Sequence, residues 1–199
     1  MNPFNRDYFE NGVKMGISGY ENYCWRPTRS FSEAIELINR FNFNTILDYG
    51  CAKGFLVHAL RQLGKEAYGE DISDYALENC DPHVICYLSK PSDRKVDFIF
   101  CKDVLEHIEW EQLNSELAHL RERCNQALFI VPLGDHGTFR IREYEIDKTH
   151  LNKKDEDWWI SKLTISGFKI KSFSYSMGTI KEHWLSVNKY GNGFFVVER

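Results

Sequence analysis

The stretch Asp48-Tyr49-Gly50-Cys51-Ala52-Lys53-Gly54 sets small residues at 50, 52 and 54. Small side chains at alternate positions let a backbone turn sharply and come close to a ligand, and a helix that begins after the turn aims its N-terminus there. That arrangement suits the polar parts of a nucleotide. A dinucleotide turn of the form G-x-G-x-x-G would need glycines where Ala52 and Phe55 stand, so the spacing disfavours NAD and FAD. Further along, in Tyr68-Gly69-Glu70-Asp71-Ile72-Ser73, the Asp71 carboxylate stands where a strand gives way to a loop. An ionised carboxylate accepts from both hydroxyls of a ribose, whereas the neighbouring Glu70 points to the opposite face of its strand. Taken singly, the turn and Asp71 fit a tight strand-to-helix connection and a helix cap just as well. Their order and strand contexts together favour a nucleotide site.

Alternating strand and helix patterns after residue 29 must position these groups, and they predict an α/β fold. Ser30 and Glu33 read as an S-x-x-E capping box for a helix with Phe31, Ala34, Ile35, Leu37, Ile38 and Phe41 on its apolar face. Ile46 to Phe55 reads as a strand, Thr45 to Tyr49, running into the turn and then a helix that Gly64 stops. Strands are expected at 67–71, 83–88, 96–101 and 127–132, with a Ser73-capped helix through Asn79 and a helix over 110–123. A helix over 156–166 precedes two late strands, 168–175 and 194–198, expected to pair antiparallel. The whole reads as a doubly wound, mostly parallel seven-stranded sheet with an antiparallel last strand and helices on both faces, in one domain spanning 1–199.

A net charge of -4 leaves no positive field for a phosphate backbone, so nucleic acid is not the expected partner. The six cysteines carry no CxxC pair and read as reduced, buried thiols. The opening MNPFNRDYFE has neither a basic start nor an apolar run, and no stretch approaches the roughly 18 apolar residues of a membrane span. Composition thus predicts a cytoplasmic chain with no membrane segment; it is silent on oligomeric state.

Four segments carry a family resemblance. Ile46-Leu47-Asp48-Tyr49-Gly50-Cys51-Ala52-Lys53-Gly54 resembles the first motif of the class I, Rossmann-like S-adenosylmethionine-dependent methyltransferases, and Gly69-Glu70-Asp71-Ile72-Ser73 their acidic second-strand motif. Asp97 to Ile108, ending in Val104-Leu105-Glu106-His107-Ile108, is similar to their fourth-strand segment in the branch acting on small molecules. Asp147-Lys148-Thr149-His150-Leu151, with Trp158-Trp159 and Gly167-Phe168, is similar to that branch after its fifth strand. The resemblance covers about residues 45 to 170. It implies S-adenosylmethionine as cofactor and S-adenosylhomocysteine as product. Gly50, Ala52 and Gly54 would hold the methionine part, Asp71 the ribose, and Ile72 an adenine face, Asp48 and Cys51 would also contact the cofactor, and Lys102, Asp103 and Val104 would line the sulfonium region. Ala52 replaces a glycine that many members have.

Methyl transfer from a sulfonium is an in-line displacement, so alignment and exclusion of water are the protein's main contributions. A hydroxyl acceptor also gains from a base, about 10²- to 10⁴-fold. His107, beyond the fourth strand, and His150, after the fifth, are the candidate bases; each also reads as a structural residue, His107 bonded to backbone and His150 fixing its loop. Asp135, His136 and His150 share a loop region, but no H-x-x-x-H or H-E-x-x-H pair accompanies them, so no metal is expected. The aromatic first 29 residues resemble the N-terminal lid of related methyltransferases, which makes Tyr20, Tyr23 and Trp25 candidate acceptor contacts; packing against the sheet edge suits them equally. The expected activity is methylation of an oxygen or nitrogen of a small metabolite or sugar-like acceptor. Methylation of a protein and a non-catalytic binding domain of the same fold are the alternatives.

Overall fold

The computed structural model describes residues 2–199. The chain falls into two compact units: one runs to Asp93 and takes in Ile146–Thr149, and the other comprises Arg94–Glu145 and His150–Arg199.

The first unit opens with two short helices, α1 (Arg6–Glu10) and α2 (Gly12–Met15), before α3 (Pro27–Arg40). Helix α3 starts three residues before the expected capping box. Pro27 at its first turn needs no N–H partner and has its φ already set, so Ser30 and Glu33 lie inside the helix, both buried. Strand β1 (Thr45–Tyr49) leads through the turn to α4 (Phe55–Gln62), whose chain reverses at Gly64 with φ 79°. Strand β2 (Glu66–Glu70) follows, then α5 (Asp74–Glu78), where the Ser73 hydroxyl accepts the Ala76 N–H as the expected cap. The strand expected over 83–88 is mostly a 3₁₀ turn at Ile85–Tyr87, leaving only β3 (Leu88–Ser89). Asp81 decides this: its side chain takes the His83 N–H at 2.9 Å and its carbonyl the Val84 N–H at 3.1 Å. Local turn chemistry thereby overrides the β-branched residues that follow. Strands β1, β2 and β3 pair in parallel.

In the second unit, β4 (Phe98–Lys102) pairs in parallel with β5 (Gln126–Pro132), after the intervening α6 (Trp110–Arg123). A small hairpin, β6 (Gly134–Asp135) with β7 (Thr138–Phe139), precedes α7 (Glu156–Ile165), β8 (Lys169–Ser174) and β9 (Asn192–Glu198). Strand β9 runs antiparallel to both β5 and β8, as expected for the closing pair. The strand order is β3-β2-β1-β4-β5-β9-β8, a seven-stranded, mostly parallel sheet. Strand β5 is buried from Ala127 to Pro132, and Phe98, Phe100, Phe129, Phe194, Phe195 and Trp159 are among its unit's large buried side chains. Each contributes about 1.5–3 kcal/mol relative to exposure. No helix among the described residues is long and apolar enough to cross a membrane.

Candidate functional site

In the first unit the turn after β1 is built from left-handed residues at alternate positions: Gly50 (φ 81°), Ala52 (φ 48°) and Gly54 (φ 76°). A side chain at Gly54 would be strained by its φ and would meet Leu88 Cδ1 at 2.6 Å, so glycine is required there. The Glu70 carbonyl accepts the N–H groups of both Gly50 (2.8 Å) and Cys51 (3.0 Å), tying the turn to the end of β2. Asp71 completes the tie. Its Oδ2 accepts the Ala52 N–H at 2.7 Å and its Oδ1 the Ser73 N–H at 2.8 Å. Burial pushes the Asp71 carboxyl up from its ordinary value, against the two backbone donors that favour its charge. Each carboxylate oxygen keeps a second lone pair, which can accept a hydrogen bond from one hydroxyl of a ribose diol. Asp48, at the same strand end, is buried, and so is Cys51, whose thiol burial and the Asp48 charge hold well above its usual range, leaving it unreactive. Ile72 is half exposed, its carbonyl taken by Asn2 and Lys90, both at 2.7 Å. The carboxylate, the tight backbone and the exposed apolar side chain fit the ribose, methionine and adenine parts of the nucleoside that the sequence suggests.

The N-terminal aromatics pack onto this turn. Tyr8, Phe9, Ala52 and Ala76 form one buried cluster, with Phe4, Tyr20, Tyr23 and Tyr75 around it. Lys53, nearly buried, anchors it: its ammonium lies 2.6 Å from Glu10 Oε1 and donates to the Tyr23 carbonyl at 3.0 Å. Burial raises the Glu10 carboxyl, but the bonds from Lys53 and Tyr75 outweigh it and hold the carboxyl below its ordinary value. The Tyr8 hydroxyl donates to Asp147 Oδ2 at 2.7 Å in a buried bond, which burial and the Asp147 charge reflect by raising the phenol's pKa. Trp25 stands apart from Tyr20, stacked on His58 with ring centroids 4.8 Å apart. His58 in turn shares Asp81 with His83, at 2.6 and 2.9 Å. Burial raises the Asp81 carboxyl, but the His83 N–H and the two imidazoles outweigh it and lower it overall.

In the second unit Lys102, Asp103 and Val104 follow β4. Asp103 is held left-handed (φ 57°), its N–H on the Ile130 carbonyl at 2.9 Å. Its carboxylate pairs with the buried ammonium of Lys181, also left-handed (φ 58°). Burial raises the Asp103 carboxyl, but Lys181, with Lys102 and His150, holds it below its ordinary value. Two non-glycine residues in this conformation, facing each other through an ion pair, mark strain held by the surrounding structure. Next in the chain comes a 3₁₀ turn, Leu105–His107, clamped by the loop after residue 149. The Glu106 carbonyl accepts the N–H groups of Leu151 (2.8 Å) and Asn152 (3.0 Å), and the Asn152 amide donates to the Leu105 and Ile108 carbonyls at 3.0 and 2.8 Å. The clamp brings the two candidate bases together, His107 and His150 lying 4.6 Å apart by ring centroids. The fully buried Glu106 joins them, its Oε1 3.9 Å from His150 Nε2.

The tautomer of His150 follows from its other nitrogen. Nδ1 lies 2.8 Å from the Tyr144 carbonyl, which only accepts, so Nδ1 carries the proton and, in the neutral ring, Nε2 carries the lone pair. Sequence reasoning missed Glu106 and Lys181. Glu106 stood beside His107 inside a quoted motif; nothing in the sequence pointed to Lys181, which reaches Asp103 through the fold. Asp135 and His136 do not join His150: the Asp135 carboxylate is held by Arg140 at 2.7 and 2.8 Å. None of the six thiols is in a disulfide; Cys51, Cys101 and Cys124 are buried and Cys80 is half-buried, while Cys24 and Cys86 are exposed rather than buried.

Residues 25–173 match a family model described as a methyltransferase domain. No protein of curated function matches the chain. Among solved structures, the chain is similar to a SAM-dependent methyltransferase from Archaeoglobus fulgidus, with TM-score 0.63 and 15% identity over 85% of this chain and 92% of that one. It is also similar to the mitomycin 7-O-methyltransferase MmcR, with TM-score 0.62 and 14% identity over 85% of this chain and 54% of that one. The small RNA methyltransferase HEN1 shares the fold at TM-score 0.60 and 17% identity, over 86% of this chain and 25% of that one. At such identities the likeness is one of fold.

Proposed function

From the premise that this chain belongs to the methyltransferase-domain family, we propose that it is an S-adenosylmethionine-dependent enzyme that methylates an oxygen or nitrogen of a small metabolite or sugar-like acceptor. The observation that carries the cofactor half is Asp71, fixed against the Ala52 N–H at 2.7 Å in a turn of alternating left-handed residues. In this reading Asp71 takes the ribose hydroxyls, Gly50, Ala52 and Gly54 give close backbone approach, and Asp48 and Cys51 complete the methionine side. Ile72 lies on an adenine face, and Lys102, Asp103 and Val104 belong to the sulfonium side.

When bound, S-adenosylmethionine supplies a methyl group on a positively charged sulfur, and transfer leaves a neutral thioether. The chain's own part is orientation, exclusion of water and care of the acceptor's proton. The aromatic segment before residue 30, anchored by Lys53, covers the turn as a lid, and Tyr20, Tyr23 and Trp25 contribute apolar contacts. A hydroxyl acceptor must lose a proton as its oxygen is methylated, and the His107 and His150 pair, with Glu106, serves that loss; the Tyr144 carbonyl keeps His150 in the tautomer whose Nε2 bears the lone pair. The net charge of -4 sets the chain against a polynucleotide acceptor.

The test is calorimetry with S-adenosylmethionine, S-adenosylhomocysteine and NAD, followed by mass-spectrometric detection of methyl transfer to panels of small alcohols, phenols and amines, with a short RNA and a protein extract as separate arms. Binding of the first two ligands, none of NAD, and transfer to a small acceptor is the expected result. Binding without transfer in any arm would favour a non-catalytic domain, and transfer to RNA or protein alone would move the acceptor class.

A further inference from the structure

The second unit gathers Glu106, His107 and His150 so that one ligating atom of each lies within 4.8 Å of the other two. The three come from a 3₁₀ turn and a loop that the Asn152 amide and the Glu106 carbonyl lock together, so the grouping is built by the backbone and not by chance side-chain rotamers. His150 donates Nδ1–H to a backbone carbonyl and turns Nε2 toward Glu106. A ligating histidine is oriented in the same way, its second nitrogen bonded to an outer carbonyl that fixes tautomer and ring plane. Glu106 has no solvent exposure.

We propose that Glu106, His107 and His150 bind one divalent transition-metal ion, of the class of Co²⁺, Zn²⁺ and Mn²⁺. Two imidazoles and one carboxylate favour these ions over Mg²⁺ and Ca²⁺, which take oxygen ligands, and three protein ligands leave positions open for a further ligand. The inference rests on the reading of this cluster as the acceptor side and sharpens it: the imidazoles then serve as ligands in place of bases, and the acceptor is an oxygen compound whose hydroxyl the cation polarises, in place of an amine. The other grouping of this kind, His58, Asp81 and His83, makes a poorer site, since the Asp81 carboxylate already spans both imidazoles and the side chain of His83 is 69% exposed. It therefore serves as an internal control.

Co²⁺ is titrated into the metal-stripped protein, without cofactor or acceptor, and followed by its visible d–d absorption, with Zn²⁺ as competitor. One equivalent is expected to bind, and Zn²⁺ to displace it. Glu106→Gln, which preserves shape, and His150→Ala should each weaken binding by about 100-fold or more, while His83→Ala changes it by less than about twofold. Circular dichroism reports whether each variant is folded; should His150→Ala not fold, Glu106→Gln alone carries the comparison. No saturable binding, binding unchanged in Glu106→Gln, or binding lost in His83→Ala would each overturn the assignment. Methyl transfer that persists in chelator would overturn the role of the cation while leaving the methyltransferase reading intact. Stoichiometric Co²⁺ binding lost in Glu106→Gln would uphold the site even if no acceptor were methylated.

Discussion

Replacing Asp71 by asparagine separates two jobs that one carboxylate performs. Its oxygens accept the Ala52 N–H at 2.7 Å and the Ser73 N–H at 2.8 Å, and in the proposed site they also take the ribose hydroxyls. Asparagine offers one accepting oxygen, so one backbone donor loses its partner even without ligand, at a cost of about 1–3 kcal/mol in unfolding free energy. Cofactor affinity should fall further, because hydrogen bonds to a charged acceptor exceed neutral ones by about 1–2 kcal/mol. A total of about 1–3 kcal/mol corresponds to roughly 5- to 150-fold in Kd. Calorimetry with S-adenosylhomocysteine reads the second effect and urea unfolding the first. To tie the loss to the ribose, both proteins are titrated with the 2′-deoxy analogue. The native chain should lose affinity for it, and Asp71→Asn should lose much less, since the partner of the missing hydroxyl is already impaired. An equal loss in both, with Asp71→Asn folded, would refute the ribose contact and leave Asp71 as a staple of the turn.

Lys53→Met should release the aromatic segment from the turn, seen as faster proteolysis before residue 30 with the rest of the chain still folded; unchanged cleavage would show that the ring cluster holds it without the lysine. Tyr8→Phe removes the buried bond to Asp147 and should lower unfolding free energy by about 1–2 kcal/mol, measured by urea midpoint. The pH dependence has a definite sign. Glu10 and Asp81 are held below their ordinary 4.5 and 3.8, so the stability they lend is complete above those values and is lost as pH falls through the lowered ones, while Asp71, pushed up, works in the opposite direction. A flat urea midpoint from pH 7 to 5 and a decline below about 4.5, smaller in Lys53→Met, is the expected profile.

Where sequence sufficed, short-range physics was in control. Strand β1 and helix α6 lie where their residue patterns put them, and the Ser73 cap and Gly64 stop need only neighbours a few residues away. The starts of α3 and β3 were misread where another local signal won: Pro27 over the Ser30 box, and Asp81 over the run of Val84, Ile85 and Tyr87. The acceptor-side cluster was legible in part. His107 and His150 could be picked as chemically capable, but their meeting, the inclusion of Glu106 and the arrival of Lys181 at Asp103 depend on contacts between residues far apart in sequence, which spacing rules cannot supply. Ligand spacing along one loop pairs His150 with Asp135 and His136, whereas its neighbours in the fold, His107 and Glu106, come from a turn more than forty residues earlier.

Strain in the first unit points back to the turn. Ala52 holds φ 48°, where an L-residue costs about 1–2 kcal/mol, and glycine would remove that cost. Glycine would also add about 0.5–1 kcal/mol of unfolded-chain entropy and forfeit the methyl that packs with Tyr8 and Phe9, about 0.8 kcal/mol. These contributions nearly cancel, which explains how alanine can stand at a left-handed position of the turn. Ala52→Gly should therefore shift unfolding free energy by less than about 1 kcal/mol in either direction. A stabilisation beyond about 1.5 kcal/mol would mean that the methyl gains nothing from the aromatic cluster. The N-terminal segment would then rest on Lys53 and the Tyr8 bond, and not on packing against the turn.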